Sequence, residues 1–492
     1  MSVINVSNLT FAYEGSYDNV FENVSFQIDT DWKLGFTGRN GRGKTTFLNL
    51  LLGKYEYSGS ISSNVDFEYF PYEVEDMSAM TLEVMRQAAP QAEDWEMIRE
   101  TSLLEVDTEV LYRPFDTLSN GERTKVLLAA LFLGANRFLL IDEPTNHLDA
   151  EGRRKLGEYL KKKKGFILVS HDRELLDNCV DHILSINRAN IDIQKGNFSS
   201  WWQNKQMEEM HEQAENSRLK KEIGRLEEAA KQAASWSDKV ESTKNGTRIG
   251  GLRPDRGYIG HKSAKLMQKA KNQENRMLAA IDEKSKLLKN IEQSDVLKIF
   301  PAKYPKKILI DTMDLALFYG TMEVCSGVRF QIHPGDRIAV TGKNGSGKST
   351  LLKLICGEEI QHTGNIAVGS NLKISYVSQE TAFLQGTVDA YAYENGIDVS
   401  FFKALLRKLG FDRVQFEKDM KNYSGGQKKK VLIARSLCEQ AHLYVWDEPL
   451  NFIDVISRMQ IEELLLQYQP TMIFVEHDIA FQKNIATEVI AL

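Results

Sequence analysis

The chain has 492 residues, of which 42% are hydrophobic and 26% charged, and its formal net charge is −6. This length predicts two or three domains, and the composition is typical of a soluble globular protein. The small negative charge argues against a general polyanion-binding surface. No apolar run is long enough to span a membrane, the first residues lack a signal-peptide pattern, and the four cysteines show no metal-ligand spacing. These features favour a reduced, cytoplasmic protein with no membrane segment.

In chain order, four motifs of the first half recur in the second half, each shifted by about 305 residues. The pairs are GRNGRGKTT at 38–46 with GKNGSGKST at 342–350, LSNGE at 118–122 with YSGGQ at 423–427, FLLIDEPTNHLD at 138–149 with LYVWDEPLNFID at 443–454, and LVSHD at 168–172 with FVEHD at 474–478. Short apolar runs alternate with helical patterns inside each copy. The sequence therefore predicts a duplicated α/β domain with a mostly parallel sheet, here called the first repeat (1–199) and the second repeat (305–492).

The segment 200–304 between the repeats has a different pattern. Apolar residues recur there at three- and four-residue steps, first from Met207 to Ala233 and then from Met267 to Ile291, with a glycine-rich break between them. This predicts two long helices that fold back as an antiparallel hairpin. Residues 239–273 hold nine basic and two acidic residues. The tip near 241–262 would therefore attract anions.

Each glycine loop has the composition of a phosphate-binding turn. Its glycines let backbone amides surround a phosphate at a helix N-terminus, Lys44 or Lys348 reaches the β- and γ-phosphates, and Thr45 or Ser349 holds Mg²⁺. The expected ATP-binding residues of the two loops are Gly38, Asn40, Gly41, Gly43, Lys44, Thr45, Thr46, Gly342, Asn344, Gly345, Gly347, Lys348, Ser349 and Thr350.

Acidic residues and histidines follow the apolar strands that come later in each repeat. Asp142 and Asp447 end such strands and are expected to coordinate Mg²⁺, and the glutamates that follow them, Glu143 and Glu448, are placed to polarise the attacking water. The further catalytic candidates are the histidines that follow FILV and MIFV, in positions suited to sensing the γ-phosphate: His171 and His477.

LSNGE and YSGGQ resemble the signature motif of ABC ATPases, and with the other motifs the resemblance covers both repeats. It implies that each signature closes over the nucleotide held by the other repeat. The first site would combine the glycine loop of the first repeat with the second signature, and the second site the reverse. The implied signature residues are Ser119, Gly121, Glu122, Ser424, Gly425, Gly426 and Gln427, and the implied adenine-stacking aromatics are Tyr13 and Tyr319.

Two departures from the family pattern predict unequal sites. Gln379 matches the family's Mg²⁺-contacting glutamine, but Tyr72 stands at the corresponding place in the first repeat. Asn120 replaces the first signature glycine, which asparagine tolerates if the backbone is left-handed. We therefore expect Glu143→Gln and Glu448→Gln to affect the ATPase rate unequally.

Tandem cassettes joined by a helical hairpin resemble the ABC-F family of translation factors. This resemblance implies a cytoplasmic monomer that hydrolyses ATP with Mg²⁺ and binds the 70S ribosome at the tRNA exit site, against 23S rRNA and P-site tRNA. The spacing from Tyr72 to Leu118 leaves no room for an extra arm, and the chain ends 14 residues after Asp478, with no C-terminal extension.

The WDEPLN wording, the GRNGRGKTT loop and the long linker look most like the Lsa-type antibiotic-resistance subgroup. That likeness implies protection of the peptidyl transferase centre from lincosamides, pleuromutilins and streptogramin A. An ABC-F translation factor without drug protection and the ATPase subunit of a transporter are the alternatives. The tip residues that would approach the drug site are Leu252, Arg253, Tyr258 and Ile259; the alternative is a loop that only closes the hairpin.

Overall fold

The computed structural model describes residues 2–14, 19–134, 136–146, 148–187, 190–242, 299–320, 322–343 and 345–492, and positions 265, 268, 271, 272 and 276. The chain forms two compact units. One contains both repeats, Met1–Trp201 with Val296–Leu492, and the other is Trp202–Asp295. Within the described residues, no helix is both long enough and apolar enough to cross a bilayer.

The first repeat alternates strands and helices. Its elements are β1 (Val3–Phe11), β2 (Phe21–Asp29), β3 (Lys33–Thr37), α1 (Lys44–Leu51), β4 (Ser58–Ser62), β5 (Asp66–Phe70), α2 (Thr81–Ala88), α3 (Asp94–Leu103), α4 (Asn120–Leu131), β6 (Arg137–Asp142), α5 (Ala150–Lys161), β7 (Phe166–Val169), α6 (Arg173–Cys179), β8 (His182–Asn187) and β9 (Asn190–Lys195). Short 3-10 helices at Thr108–Tyr112 and Phe115–Thr117 lead into α4.

The second repeat follows the same order. Its elements are β10 (Ile310–Tyr319), β11 (Met322–Ile332), β12 (Arg337–Thr341), α8 (Lys348–Ile355), β13 (Gln361–Val368), β14 (Ile374–Val377), α9 (Val388–Glu394), α10 (Val399–Lys408), α11 (Gly425–Cys438), β15 (Leu443–Asp447), α12 (Val455–Tyr468), β16 (Met472–Val475), α13 (Ile479–Ile485) and β17 (Glu488–Ala491). The 3-10 helices Arg413–Glu417 and Met420–Asn422 precede α11.

Each repeat contains one large sheet and one small antiparallel sheet. The large sheets have the orders β5-β6-β7-β3-β8-β9 and β14-β15-β16-β12-β17, and only the pairing of β8 with β9 is antiparallel. The small sheets have the orders β2-β1-β4 and β11-β10-β13. The central strands β7, β15 and β16 are buried along their whole length, as expected for strands covered on both faces. The predicted α/β class with a mostly parallel sheet is confirmed.

The helix α7 (Phe198–Ser242) is 45 residues long; its first four residues belong to the first unit and the rest to the second. At ~1.5 Å per residue, such a helix is about 68 Å long. Its start agrees with the first helix of the predicted hairpin. The return of the hairpin and its tip, near 241–262, lie almost wholly outside the described residues, so the hairpin stays a prediction. Ile299 and Tyr304, which the sequence assigns to the linker, are buried in the hydrophobic cores of the second repeat.

Candidate active sites

The two glycine loops have the same backbone geometry. Gly43 and Gly347 immediately precede α1 and α8 and have φ angles of 95° and 89°. A Cβ at these positions would lie 2.6 Å from Val20 and 2.8 Å from Val324, so glycine is required both for the left-handed backbone and for space. Each loop therefore leads directly into a helix N-terminus, which is a favourable place for an anion.

The lysines of both loops are buried and folded back onto their own loops. Lys44 Nζ donates to the carbonyl oxygens of Gly38 and Arg39 and to Asn40 Oδ1, at 2.8, 3.3 and 3.3 Å. Lys348 Nζ donates to the carbonyls of Gly342 and Lys343 at 3.0 and 2.8 Å. Burial lowers the pKa of both amines. Each loop thus concentrates one cation at the start of its helix.

The carboxylate pairs lie at the carboxyl ends of β6 and β15, as predicted. The backbone at Glu143 and Glu448 is left-handed, with φ of 48° and 45°, and their amides donate to Val169 and Val475 on the neighbouring strand. A positive φ is uncommon outside glycine and is concentrated at functional sites. Because the left-handed backbone occurs at the same position in both repeats, we infer that it orients the two glutamate side chains.

Glu448 is held as an ionised carboxylate by several neighbours. His477 Nε2 lies 3.3 Å from one carboxylate oxygen, and Gln379 and Asn451 donate to the other at 2.9 and 2.6 Å. The hydrogen bond with His477 outweighs partial burial and lowers the pKa of Glu448. A carboxylate that is ionised at neutral pH and fixed by three side chains is suited to orienting and polarising a water molecule.

Glu143 has a different environment at the equivalent position. His171 Nε2 also lies 3.3 Å from Glu143 Oε1, but that oxygen has no hydrogen-bond partner within the described residues. Burial, together with the charge of Asp142, raises the pKa of Glu143 to about 8. Burial and the nearby Lys44 and Arg458 lower the pKa of His171 well below its ordinary value. The two pKa shifts therefore both favour the uncharged form of the group.

The two aspartates also differ. Ser349 Oγ donates to Asp447 Oδ1 at 3.1 Å, whereas Asp447 Oδ2 is buried and has no hydrogen-bond partner among the described residues. A hydroxyl beside an unpartnered carboxylate oxygen fits a hard cation such as Mg²⁺. In the first repeat, Asp142 Oδ2 accepts from both Thr45 Oγ1 at 3.2 Å and the Tyr69 hydroxyl at 2.9 Å. The oxygen ligands fit Mg²⁺ in both repeats. In the first repeat, however, Asp142 Oδ2 already accepts hydrogen bonds from Thr45 and Tyr69.

Tyr72, which the sequence aligns with Gln379, does not take the place of that glutamine. Its hydroxyl is buried without a hydrogen-bond partner among the described residues. Gln379, in contrast, donates to Glu448. Tyr69, three residues earlier, reaches Asp142 instead and was not recognised from the sequence.

Both signatures begin helices with a capping box. Ser119 and Ser424 accept hydrogen bonds from the amides of Glu122 and Gln427, whose side chains accept in return from the serine amides. This S-x-x-E/Q pattern fixes the serine at the helix start. Asn120 is the first residue of α4 and is right-handed. The left-handed backbone considered for it is wrong, because a side chain is readily accommodated at the first helical position.

The signature of the first repeat faces the glycine loop of the second repeat across a cavity of about 870 Å³. The first repeat lines it with the start of α4 and with Asn146, Leu148, Asp149, Gly152 and Arg153. The second repeat lines it with Tyr319, Met322, Val324, Gly345, Gly347, Lys348, Ser349, Thr350, Gln379, Glu448, Asn451 and His477. The structure therefore brings together the predicted second site, including Ser119, Gly121 and Glu122.

At the first site the two repeats touch directly. Asn40 of the first glycine loop donates to the Phe452 carbonyl at 2.7 Å, and Arg42 lies 3.4 Å from Asp412. Gly426 fits here because a Cβ would lie 2.3 Å from that carbonyl. Phe452 has a left-handed backbone, with φ of 63°, and its ring lies beside Gly425. The second signature is thus placed against the first glycine loop, with the Phe452 segment between them.

The predicted adenine-stacking tyrosines lie next to the helices that follow the loops. The hydroxyl of Tyr13 is 2.6 Å from Thr46 Oγ1, and Thr350 donates to Tyr319 at 3.4 Å. Both rings are about half exposed, at 45% and 58%. This position leaves their faces accessible. Asn344 and the tip residues Leu252, Arg253, Tyr258 and Ile259 lie outside the described residues.

Comparison with known proteins agrees with this duplicated geometry. The family model described as ABC transporter matches residues 21–146 and again 325–451. The ribosome protection protein VmlR of Bacillus subtilis (strain 168) is 28% identical over 480 residues, covering 97% of this chain and 84% of VmlR. The erythromycin resistance ATP-binding protein MsrA of Staphylococcus epidermidis is 27% identical over 468 residues, covering 92% and 90% of the two chains.

Solved structures share the fold. An archaeal ribosome recycling factor, aABCE1, in complex with the ribosomal stalk protein aP1 superposes with a TM-score of 0.61 at 20% identity, covering 98% of this chain and 87% of the other. The RNase-L inhibitor gives the same TM-score at 19% identity, with 99% and 87% covered. With the family model matched twice and both sets of catalytic motifs in place, this chain belongs to the ABC transporter family and is an ATPase.

Proposed function

We propose that this protein is a cytoplasmic ABC-F ATPase that binds the ribosome and protects it from antibiotics. The observation that carries the proposal is the likeness to VmlR, which extends over 97% of the chain and so includes both repeats and the segment between them. VmlR is a ribosome protection protein by name, and MsrA is a resistance protein. The 45-residue helix α7, which the sequence predicts as the first arm of the linker hairpin, supports the same proposal.

The proposed chemistry follows from the second site. Lys348 and the backbone amides of its loop would hold the ATP phosphates, and Tyr319 would stack on adenine. Mg²⁺, held by Ser349, Asp447 and Gln379, would neutralise phosphate charge. Glu448 would orient and polarise the attacking water, and His477 would position Glu448 and sense the γ-phosphate. The signature residues Ser119, Gly121 and Glu122 would close over the nucleotide from the other repeat.

The first site would use the equivalent set, namely Tyr13, Lys44, Thr45, Asp142, Glu143 and His171 with Ser424, Gly425, Gly426 and Gln427. Its raised glutamate pKa and its shared aspartate oxygen favour slower hydrolysis there than at the second site. We propose that ATP held at both sites closes the two repeats into the form that binds the ribosome, and that hydrolysis releases it.

The finer proposal concerns the drugs and the docking position. We propose that the protein occupies the tRNA exit site, against 23S rRNA and P-site tRNA, and acts on lincosamides, pleuromutilins and streptogramin A as an Lsa-type member. The basic tip would neutralise rRNA phosphates near the peptidyl transferase centre. Because MsrA is named for erythromycin resistance, the test panel includes that drug as well.

Co-sedimentation tests ribosome binding. The Glu143→Gln, Glu448→Gln double variant, with ATP, is expected to pellet with 70S ribosomes, because it would bind ATP without hydrolysing it. The matched control adds Lys44→Ala and Lys348→Ala, which remove the phosphate-binding amines and should abolish pelleting. If the double variant stays in the supernatant with ATP, ribosome binding is wrong, and the transporter-ATPase alternative becomes the better explanation.

In vitro translation separates drug protection from a role in translation alone. Adding the wild-type protein should restore synthesis in the presence of lincosamide, pleuromutilin or streptogramin A, and erythromycin is tested in parallel. Alanine at Leu252, Arg253, Tyr258 and Ile259 should abolish the rescue while leaving ATPase activity unchanged, with the variant still pelleting with ribosomes in the presence of ATP. Binding without rescue by the wild-type protein would identify an ABC-F translation factor without drug protection.

A further inference from the structure

A buried ion-pair cluster joins the two repeats away from both glycine loops. Arg173, the first residue of α6, donates to Glu462 Oε2 on α12 at 2.7 Å and lies 3.6 Å from Asp478 Oδ1. The three side chains are only 9%, 9% and 5% exposed. A single arginine of the first repeat is thus inserted between two carboxylates of the second.

Both carboxylates also have partners within the second repeat. Arg458 lies 3.2 Å from the other oxygen of Asp478, and Asn484 donates to the other oxygen of Glu462 at 2.5 Å. Asp478 also caps α13 by accepting from the Phe481 amide at 2.9 Å. Buried charges are tolerated only when they are paired and hydrogen-bonded, so removing one member leaves the others at a high energetic cost.

The cluster is present on one side of the duplicated molecule only. In the repeat alignment, Glu462 corresponds to Gly157, and Arg173 corresponds to Ile479. The remaining pair, Arg458 with Asp478, does recur, as Arg153 with Asp172 at 3.7 Å. The ion pair within each repeat is therefore duplicated, whereas the ion pairs between the repeats, made by Arg173, have no counterpart at the equivalent positions.

The cluster connects the two histidine loops. Arg173 follows His171 by two residues, and Asp478 follows His477 directly. Arg458 and Glu476 of the second repeat also line a small cavity with Glu143 and His171 of the first. A shift of the His171 loop must therefore either move the second repeat's loop at Asp478 or break a buried ion pair.

We propose that Arg173 is a positioning residue that couples the two ATP sites. Nucleotide at the first site fixes the His171 loop, Arg173 transmits that position to Asp478, and the adjacent His477 is then aligned with Glu448 for hydrolysis at the second site. Ile479 and Gly157 provide no equivalent ion pair on the other side of the molecule, so the coupling runs through this one link, which acts in both directions. The proposal rests on the ATPase activity and is independent of ribosome binding.

The test is a ratio of second-site hydrolysis rates, measured in single turnover without ribosomes. One rate is taken in a Glu143→Gln background, where ATP stays at the first site, and the other in a Lys44→Ala background, where ATP does not bind there. We expect second-site hydrolysis to be roughly 10-fold faster in the Glu143→Gln background than in the Lys44→Ala background, which is within the usual range of coupling between sites. Arg173→Gln should bring the ratio close to one, and Arg173→Lys should restore part of it.

A purely structural role would lower both rates together and leave the ratio unchanged, and that result would overturn the proposal. If Arg173→Gln fails to fold, Arg173→Gln with Glu462→Gln removes both members of the closest pair and gives the same readout. Arg154→Gln is the matched control, because Arg154 forms an exposed ion pair with Glu158 on α5 and should leave the ratio at its wild-type value.

Discussion

The first and second sites are assembled from the same duplicated parts, yet their side chains are arranged differently. At the second site Glu448 is ionised and held by His477, Gln379 and Asn451 beside a cavity of about 870 Å³. At the first site one Glu143 oxygen has no hydrogen-bond partner among the described residues, the pKa of Glu143 is raised to about 8, and Asn40 is bonded across the interface to Phe452. The backbone of the two loops and of the two glutamates is nevertheless the same.

This difference teaches where a duplicated enzyme diverges. The positions that set backbone geometry, such as Gly43 and Gly347, are identical in the two repeats. Positions near the reacting groups are not, because Ser170 corresponds to Glu476 and Tyr72 to Gln379. Changes of this kind alter charge and access at one site without disturbing the shared fold.

The largest expected effect is a difference in folding stability between variants of two equivalent aspartates, Asp149 before α5 and Asp454 before α12. Asp454 is fully buried and paired with Lys430 at 2.6 Å, whereas its counterpart Asp149 is exposed and caps α5 by accepting from the Gly152 amide at 2.8 Å. Asp454→Ala should cost about 3–5 kcal/mol, since it leaves Lys430 buried without its carboxylate. Asp149→Ala should cost about 1 kcal/mol, the usual effect of losing a cap.

Thermal unfolding without nucleotide measures both costs. In a domain of this size, the midpoint should fall by about 10 °C for Asp454→Ala and about 3 °C for Asp149→Ala. Adding Lys430→Met to Asp454→Ala removes both charges and should recover much of the loss. Equal unfolding midpoints for the two variants would mean that the burial of Asp454, compared with the exposure of Asp149, does not affect the free energy of unfolding.

The next effect concerns catalysis. Glu448→Gln should lower steady-state ATP hydrolysis by about 100-fold, because a positioned base contributes at least that much. Glu143→Gln should lower it by less than about 3-fold, since the Glu143 carboxylate lacks the hydrogen bonds that hold Glu448 and its site is expected to contribute little. Phosphate release at saturating ATP gives both rates. Similar losses in the two variants would contradict the inequality of the sites, and nucleotide-binding measurements would exclude lost affinity as the cause.

Much of the fold followed from the sequence because the duplication provides its own comparison. Two copies of each motif fixed the strand ends at Asp142 and Asp447 and the helix starts after Gly43 and Gly347. The capping pattern of Ser119 and Ser424 was also visible, although the conformation of Asn120 was misjudged. These features are local, since a few neighbouring residues determine each of them.

The unequal surroundings of the two sites were only partly predictable. Tyr72 signalled a difference, but the residue that reaches Asp142 is Tyr69, and nothing in its immediate sequence shows this. The pairing of Arg173 with Glu462 joins residues 289 positions apart. Such contacts depend on how the repeats pack, and local sequence patterns do not determine that packing.

The smallest expected effect concerns Mg²⁺ binding at Asp142, whose Oδ2 accepts two hydrogen bonds. Tyr69 donates to Asp142 Oδ2, an oxygen that Mg²⁺ would otherwise use, while the equivalent Tyr376 has no hydrogen bond of this kind among the described contacts of Asp447. Tyr69→Phe should therefore make Mg²⁺ easier to bind at the first site. A hydrogen bond worth about 1 kcal/mol corresponds to roughly a 5-fold lower half-saturating Mg²⁺ concentration.

A magnesium titration of fluorescent-ATP binding provides the measurement, with Lys348→Ala present so that only the first site reports. Tyr376→Phe, measured with Lys44→Ala, is the matched control and should shift the second site by less than about 2-fold. A similar shift in both variants would indicate a general effect of losing a tyrosine hydroxyl. A rise in the Mg²⁺ requirement on Tyr69→Phe would instead show that Tyr69 holds Asp142 in its binding orientation, and the first site would then be weakened by removing the very bond that occupies its carboxylate.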